Sequence, residues 1–450
     1  MEVKIKIPMS VQFILNKLND NGYEGYIVGG CVRDSLIGIE PHDWDICTSA
    51  LPEQVIELFS DFKVIPTGIK HGTVSIVLDD NVYEITTYRI DGEYKDNRHP
   101  ETVEFVSDLK LDLSRRDFTI NAMAYNEVKG LIDPFGGFDD LINKHIKCVG
   151  NANDRINEDA LRILRAVRFA LRFNCDIEYS TIIAMDKNKS LLRNVSMERI
   201  CSELTKSLSY PLLPFSPSKY EANPYNERIR LNFYTLFDIM ETVLPEIGCI
   251  NERKTFYRLW FSNSADCALN FAIILGSNVK NDKIERTLKY LRCPNELISE
   301  VYNIVLFAKK IESDFYVWAC TNCHIYPSEI KISKYFARKL LHDLDYSTIN
   351  LALDCAKVFS IYSDKPQIIR MIYIECVEQL RRKVDKCRED GDIYDLKYLA
   401  VNGIDLIQLG YKGKRIGEIL NTLLEMVMKD EIPNRRDKLI YTINTEFADD

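Results

Sequence analysis

Apolar residues recur along this chain with two different periods, and the change of period divides it. In the first 150 residues short alternating runs mix with helical spacing. Met9–Leu18 has the 3.6-residue apolar repeat of an amphipathic helix, while Tyr26–Val28, Asp43–Cys47, Thr73–Val77, Val82–Tyr88 and Thr102–Val106 read as short strands. Between the last two lies Arg89–Pro100, a polar stretch with Gly92 and Pro100 and no apolar period, which predicts a loop able to move. From Asn157 onward helical periodicity takes over and continues nearly to the end. The run Tyr210–Tyr225 carries Pro211, Pro214, Pro217 and Pro224, so a break between helical units is expected there. The pattern is that of an α+β protein, an α/β head followed by an all-helical remainder, without internal repeats or low-complexity tracts.

Bulk properties narrow the setting. At 450 residues the chain exceeds what one core supports, and two to four domains are expected. Hydrophobic residues make up 46% and charged residues 28%, ordinary values for a globular protein. No apolar run is long enough to span a bilayer, and Met1–Lys6 lacks the apolar core of a signal peptide, so a soluble cytoplasmic protein is expected. The 13 cysteines are scattered without a framework and are read as reduced thiols. Cys320-Thr321-Asn322-Cys323-His324 matches a haem attachment pattern but stands alone, and no function is assigned to it. A net charge of −9 argues against nucleic acid as a partner unless basic residues cluster, which they do.

Two motifs carry the first chemistry. Gly29-Gly30 closes the apolar run Tyr26–Val28 and opens a turn into a helix, so backbone amides can approach a triphosphate closely. Asp43-Trp44-Asp45 follows. Read as part of a strand, its two carboxylates share one face and suit a hard divalent cation such as Mg²⁺. In this order and spacing the two motifs have the layout of a nucleotidyl-transfer site. A third carboxylate, Glu84, lies on the strand Val82–Tyr88. It either activates an attacking hydroxyl, completes a metal shell, or is a solvated strand residue.

Further along, Arg115-Arg116-Asp117-Phe118-Thr119-Ile120-Asn121-Ala122 runs a basic pair into an apolar segment, and an arginine there can neutralise triphosphate charge with a bidentate fork. Asp133-Pro134-Phe135-Gly136-Gly137 is a turn sequence that closes the head. In Glu158–Arg168, Asp159 and Arg162 stand at i and i+3 of an expected helix and project together. A carboxylate accepts from the amino group of cytosine or adenine and a guanidinium donates to ring acceptors, so this pair can read a base edge without a template strand. Arg162, Arg165, Arg168 and Arg172 form a basic stripe suited to phosphates.

With these motifs in this order, the chain resembles the class II tRNA nucleotidyltransferases, the CCA-adding branch of the polymerase-β superfamily. Gly29-Gly30-x-Val32-Arg33-Asp34 with Asp43-x-Asp45, the Arg115–Ala122 segment, Asp133–Gly137, Glu158-Asp159-x-x-Arg162, and Glu198-Arg199-Ile200 with Glu203-Leu204 match five ordered motifs. Leu244-Pro245-Glu246 and Asn402-Gly403-x-Asp405-Leu406 extend the likeness more weakly. The proline-rich stretch departs from the usual shorter connection, and Arg98-His99-Pro100 stands where the family usually has Arg-Arg-Pro. The resemblance implies a head at 1–150, a neck for nucleotide selection at 151–209, a helical body at 210–360 and a tRNA-binding tail at 361–450. It implies that Gly29, Gly30, Arg33, Arg116, Arg165 and Arg168 contact the nucleotide. Asp43 and Asp45 would hold Mg²⁺, and Asp159 and Arg162 would select CTP or ATP. The implied reaction adds C, C and A to tRNA 3′ ends and releases pyrophosphate, with no membrane or protein partner.

Its rivals share the fold. A CC-only enzyme would lack the loop carrying Tyr94-x-Asp96-x-Arg98-x-Pro100. An A-only enzyme has the same motifs. Gly68–Val74 resembles the CCA-adding type rather than a bacterial poly(A) polymerase. A non-catalytic tRNA-binding relative would have lost a metal carboxylate or the Asp159/Arg162 pair, all of which are kept. An antibiotic-modifying nucleotidyltransferase would have no use for the helical remainder.

Overall fold

A computed structural model describes residues 4–92, 102–210, 224–321, 332–361, 363 and 365–447. These form two compact units, one of residues 4–210, 224–250 and 290–292, the other of 251–289 and 293–447.

The first unit is built on a seven-stranded mixed sheet. Its strands are β1 (Gly25–Val28), β2 (Ile46–Thr48), β3 (Lys63–Gly68), β4 (Thr73–Leu78), β5 (Asn81–Thr87), β8 (Ala124–Asn126) and β9 (Gly130–Ile132), in the spatial order β3-β4-β5-β2-β1-β8-β9. Only the β2–β5 pair is parallel, with Ile46 opposite Ile85. Asp79 and Asp80 take φ of 50° and 61° at the two-residue β4–β5 turn, the left-handed pair that matches the twist of a tight hairpin. β3 was not legible as a strand because Pro66 interrupts it. It is tolerated at the sheet edge beside a register shift between Ile65 and Gly68. A separate two-stranded ladder joins β6 (Arg89–Asp91) to β7 (Val103–Phe105), and a short parallel pair joins β10 (His145–Ile146) to β11 (Asp176–Ile177).

Helices of this unit are α1 (Met9–Asp20), α2 (Gly30–Leu36), α3 (Pro52–Leu58), α4 (Leu109–Ser114), α5 (Gly137–Ile142), α6 (Ala152–Glu158), α7 (Arg162–Phe173), α8 (Tyr179–Asn188), α9 (Met197–Leu208) and α10 (Pro224–Val243). The expected amphipathic helix is α1, which buries Val11, Ile14, Leu15 and Leu18. Tyr26, Val28 and Cys47 from the strands and Tyr88, between β5 and β6, pack with Leu109 and Leu113 of α4 in one core. α4 is thereby fixed against the sheet, with Arg115 and Arg116 immediately after it.

Three expectations change. Asp43 and Asp45 precede β2 rather than lying on it. The Val28 N–H still donates to the Asp45 carbonyl at 3.0 Å, but Gly29 then turns away with φ 78° and leaves Trp44 and Asp43 without a strand to pair. Arg89–Asp91, expected in the loop, is strand β6. The rest of that loop, 93–100, lies outside the described residues. So does most of the proline-rich stretch, 211–223. Pro224 opens α10, where its missing N–H costs nothing.

The second unit is helical, from α11 (Glu252–Ser262), α12 (Cys267–Asn278) and α13 (Asn281–Tyr290) through α14 (Asn295–Thr321), α15 (Lys334–Asp343), α16 (Tyr346–Ile361) and α17 (Gln367–Glu389) to α18 (Gly403–Gln408), α19 (Lys414–Met428) and α20 (Arg436–Glu446). The Cys320–His324 pattern begins at the end of α14 and runs out of the described residues. α18 starts with a reciprocal cap between Asn402 and Asp405, and Arg436 locks Asp405 at 2.6 Å. Leu406, Ile419, Leu423, Leu424, Leu439 and Ile443 form the core beneath them. Among the described residues no helix is long and apolar enough to cross a membrane.

The turn at Asp133–Gly137 is structural. Both Asp133 oxygens accept backbone N–H groups, from Gly137 and Phe138, at 2.8 Å each. A Cβ on Gly137 would stand 2.0 Å from the Thr119 carbonyl oxygen, which is backbone and cannot step aside. Gly137→Ala should therefore cost at least about 1–3 kcal/mol of stability, read as a lowered midpoint in urea unfolding.

Candidate active site

The site begins where β1 ends. Gly29 takes a positive φ and its N–H donates to the Met123 carbonyl at 3.1 Å. A side chain there would be strained, and its Cβ would lie 2.8 Å from Arg116 Nη1. Glycine is thus required by the turn, and a side chain there would also push the Arg116 guanidinium from its place. One turn into α2, Arg33 is 4% exposed. Its Nε and Nη2 reach Asp34 Oδ1 at 2.8 and 2.7 Å, and Nη1 donates to Asn121 Oδ1. Its guanidinium carbon stands 5.2 and 4.7 Å from the ring centres of Phe169 and Phe173. Burial lowers the Arg33 pKa, a pull that Asp34 opposes.

Facing this turn is Asp45. The residue reaches solvent, yet the protein packed around the carboxyl raises its pKa. Nearby Arg116 opposes that rise and Asp43 adds to it. The two aspartates are therefore electrostatic neighbours, as a shared cation requires. Glu84 is exposed on β5, one residue before Ile85, which pairs with Ile46, so it stands level with Asp45, just ahead of β2; like Asp43, which is also exposed, it does not line the arginine cavity. Among the described residues no group of three His, Cys, Asp or Glu side chains is poised to hold a metal. What Asp43 and Asp45 offer is a two-carboxylate platform. That fits Mg²⁺, which keeps several waters and takes its other ligands from phosphate oxygens.

α7 supplies the opposite wall. Arg162, Arg165, Arg168 and Arg172 all lie on it and all line a cavity of about 440 Å³ together with Gly29, Gly30, Arg33, Asp45, Arg115 and Arg116. Each guanidinium is held from behind. Asp117 Oδ2 accepts from Arg165 Nε and Nη2 at 2.8 and 2.5 Å, while Oδ1 accepts from Asn121 at 3.0 Å. Glu203 sits 2.8 Å from Arg168 Nε, and Asp34 takes Arg172 at 3.0 Å. Arg162 donates to Glu158 at 2.8 Å and to the Arg155 and Arg115 carbonyls at 2.9 and 3.2 Å.

Asp159 and Arg162 do line the same cavity, but not as neighbours on one helix. Asp159 ends α6 in an extended conformation, and α7 begins at Arg162. A turn brings them together, closed by the Leu161 N–H donating to Asp159 Oδ1 at 3.0 Å and by the Arg162 N–H donating to the Asp159 carbonyl at 3.0 Å. From α9, Arg199 grips both oxygens of Asp159, at 3.3 and 2.8 Å.

The supporting residues Asp117, Asn121, Phe169, Phe173, Arg199 and Glu203 were given no role from sequence. Asp117/Asn121 and Arg199/Glu203 are i, i+4 pairs inside segments already singled out, which was the available signal. The rings were indistinguishable from core. The cavity itself is lined by seven arginines and three carboxylates, Asp45, Asp117 and Asp159, which makes it a receptor for a polyanion in an acidic chain.

A mixed sheet with a Gly-Gly turn and paired carboxylates beside an arginine-lined cavity defines a nucleotidyltransferase head. Residues 25–147 match the family model described as the poly A polymerase head domain, and residues 174–212 the one described as "Probable RNA and SrmB- binding site of polymerase A". The CCA-adding enzyme of Oceanobacillus iheyensis is 53% identical over 193 residues, 43% of this chain and 48% of that one. That of Ligilactobacillus salivarius is 33% identical over 429 residues, 95% of this chain and 94% of that one. The crystal structure of the Bacillus stearothermophilus CCA-adding enzyme in complex with CTP is 28% identical, covers 99% of this chain and 100% of that one, and superposes with a TM-score of 0.68. The chain belongs to the CCA-adding enzymes.

Asp117 gives this site a pH signature. Its burial would raise the carboxyl pKa, but Arg165, Asn121 and Arg162 together hold it well below the usual carboxylate range. A depressed folded value stabilises the fold above the unfolded value of about 4, and this contribution is lost as pH falls toward the folded one. Asp117→Asn should cost about 3–5 kcal/mol at neutral pH by stranding Arg165. Urea unfolding from pH 7 to 3 should show a shallower acid decline for the variant than for the parent.

Proposed function

We propose that this protein adds C, C and A to the 3′ end of tRNA, taking CTP and ATP in the cavity described above. The observation that carries the reading is the arrangement of that cavity. Asp159 and Arg162 offer a base-edge acceptor and donor in the same cavity as Asp45 and six further arginines. The solved relative holding CTP supports the same reading.

In this reading Gly29 and Gly30 let the triphosphate lie close to backbone at the start of α2. Arg116, Arg165 and Arg168 neutralise its charge, and Arg33 borders it from a buried anchorage. Asp159 accepts from the exocyclic amino group that cytosine and adenine share, while Arg162 donates to a ring acceptor. Uracil offers no amino group there, so it is refused without a template strand. The tRNA 3′-hydroxyl attacks the α-phosphorus, a P–O bond forms, the bond to the β-phosphate oxygen breaks, and pyrophosphate leaves while the hydroxyl proton passes to solvent. Mg²⁺ held by Asp43 and Asp45 would neutralise charge on the reacting phosphate when bound. Glu84, on β5 level with Asp45, keeps its readings as activator of the attacking hydroxyl, third metal carboxylate or solvated strand residue. Head, neck, body and tail at 1–150, 151–209, 210–360 and 361–450 remain our assignment, with tRNA along the helical parts. A cytoplasmic setting agrees with the free thiols of the described cysteines.

The test is product sizing. Incubated with tRNA lacking its 3′ terminus and with CTP plus ATP, the protein should extend it by three nucleotides. Extension only of tRNA already ending in CC would favour the A-adding reading, and long A tails a poly(A) polymerase.

Asp43→Ala and Asp45→Ala should each abolish incorporation of both nucleotides while tRNA binding survives, measured by filter retention beside the activity assay. Incorporation near the parent rate in either variant would remove the metal assignment.

Arg162→Ala should blur nucleotide choice. Loss of a base-edge donor costs about 1–3 kcal/mol of discrimination, so UTP or GTP misincorporation should rise relative to CTP. A uniform fall in rate with selectivity intact would make Arg162 a phosphate ligand instead.

A further inference from the structure

One buried charge in the head is not used by this mechanism. Asp112 sits in α4 with 0% exposure. Its Oδ1 accepts from Arg115 Nε at 3.0 Å, lies 3.0 Å from Arg115 Nη2, and accepts the backbone N–H of Arg89 at 3.3 Å. Its Oδ2 has no hydrogen-bond partner among the described residues and faces Arg116 Nη2 at 3.7 Å. A carboxylate without solvent, with one oxygen satisfied and the other not, is retained against a desolvation cost.

Arg116 is the mirror of that oxygen. Its Nε is buried without a hydrogen-bond partner among the described residues, its Nη1 stands over Gly29, and its charge acts on Asp45. Two carboxylates therefore pull on one guanidinium from opposite sides, Asp112 from the core and Asp45 from the cavity. Without Asp112, Arg116 would be drawn onto Asp45 and cover the place where phosphate belongs.

We propose that Asp112 is the positioning residue of the triphosphate site: it fixes Arg115, holds Arg116 back from Asp45 over Gly29, and ties both to Arg89, the first residue of β6. Asp112 touches no substrate and acts through the arginines. The inference rests on the reading of this cavity as a nucleoside triphosphate site. It has a geometric corollary: because the Arg89 N–H shares Oδ1 with Arg115, any shift at the foot of the β6–β7 ladder is felt at the arginines.

The experiment compares Asp112→Asn, Arg116→Ala and the double variant in the full-length protein, measuring kcat and KM for CTP on tRNA lacking its 3′ terminus, with thermal unfolding alongside. Asn keeps an acceptor for the Arg89 N–H but turns neutral toward both arginines. Losing a charge-assisted contact predicts a rise in KM for CTP of about 10- to 100-fold, with CTP-over-UTP preference unchanged because Asp159 and Arg162 are untouched. The double variant should lose less than the product of the two single losses, because part of the effect of Asp112 runs through Arg116 and only the rest through Arg115; a merely structural role of Asp112 would give losses that multiply. A parent-like KM in Asp112→Asn, or losses that multiply in the double variant, overturns the proposal. Arg116→Ala with an unchanged KM overturns instead the reading of Arg116 as a nucleotide contact, and Asp112 loses its role with it. Should Asp112→Asn fail to fold, Asp112→Glu decides. It keeps the charge but displaces it by one methylene, so a raised KM supports the positioning role and a parent-like one refutes it.

Discussion

The head depends on bringing arginines together without letting their charges repel the fold apart. Seven of them line one cavity, and several are largely withdrawn from water. Concentrated positive charge is what a triphosphate requires, yet before any ligand arrives it would be self-repelling. The solution is a ring of carboxylates behind the guanidinium groups: Asp34 for Arg33 and Arg172, Asp112 for Arg115, Asp117 for Arg165, Glu158 for Arg162, Glu203 for Arg168. A guanidinium has five donors in a fixed fork, so an acid behind it can take one edge and leave another toward the cavity. The carboxylates thus settle orientation as well as charge.

That constraint explains why α2, α4, α7 and α9 sit where they do. Arg33 comes from α2, its partners Asn121 and the two phenylalanines from the head loop and α7. Arg165 and Arg168 come from α7, Asp117 from just past α4, and Glu203 and Arg199 from α9. The Arg165–Asp117, Arg168–Glu203 and Arg172–Asp34 pairs cross between elements, so the cavity forms only when the sheet and these helices have packed. The Asp159–Arg199 pair extends the same logic to base reading. A carboxylate left free on the turn between α6 and α7 could swing toward any of the nearby arginines, whereas two bonds from Arg199 and one from the Leu161 N–H hold its orientation.

Much of this was legible in the chain itself. The Gly-Gly turn, the aspartate pair, the paired arginines and the α7 stripe were all readable from residue type and spacing, and each of those segments contributes to the cavity. What spacing could not supply was the route. Asp159 and Arg162 look like one helical face, but the chain breaks between them, because Asp159 uses its own side chain to cap the next turn. Glu84 looked equivalent to Asp43 and Asp45 as an acid on a strand. Its register, one residue before the Ile85 that pairs with Ile46, sets it level with Asp45 but outside the arginine cavity. Some of the carboxylates behind the arginines are local, Asp34 beside Arg33, Asp112 three residues before Arg115 and Glu158 four before Arg162. Those that hold Arg165 and Arg172 lie 48 and 138 residues away, and no local period encodes such pairs.

The aromatic rings complete the account of how so much charge is tolerated. Phe169 has Arg33, Arg165 and Arg168 around it at 5.2, 5.4 and 4.4 Å from its centre, and Phe173 has Arg33 and Arg172 at 4.7 and 4.8 Å. The two rings stack on each other at 6.0 Å, and Phe118 meets Phe169 edge-on at 5.8 Å. A ring face is attractive to a cation and cannot be titrated or carried off by a ligand. Here the rings separate like charges, replace some of the water those charges lose, and anchor α7 to the head through Phe118. A carboxylate in the same place would offset the charge too well and weaken the hold on phosphate. An aliphatic side chain would fill the space and leave the arginines uncompensated. Between acids behind and aromatics beside them, the guanidinium groups remain both buried and available, which is the condition for an acidic protein to present a site that takes a polyanion.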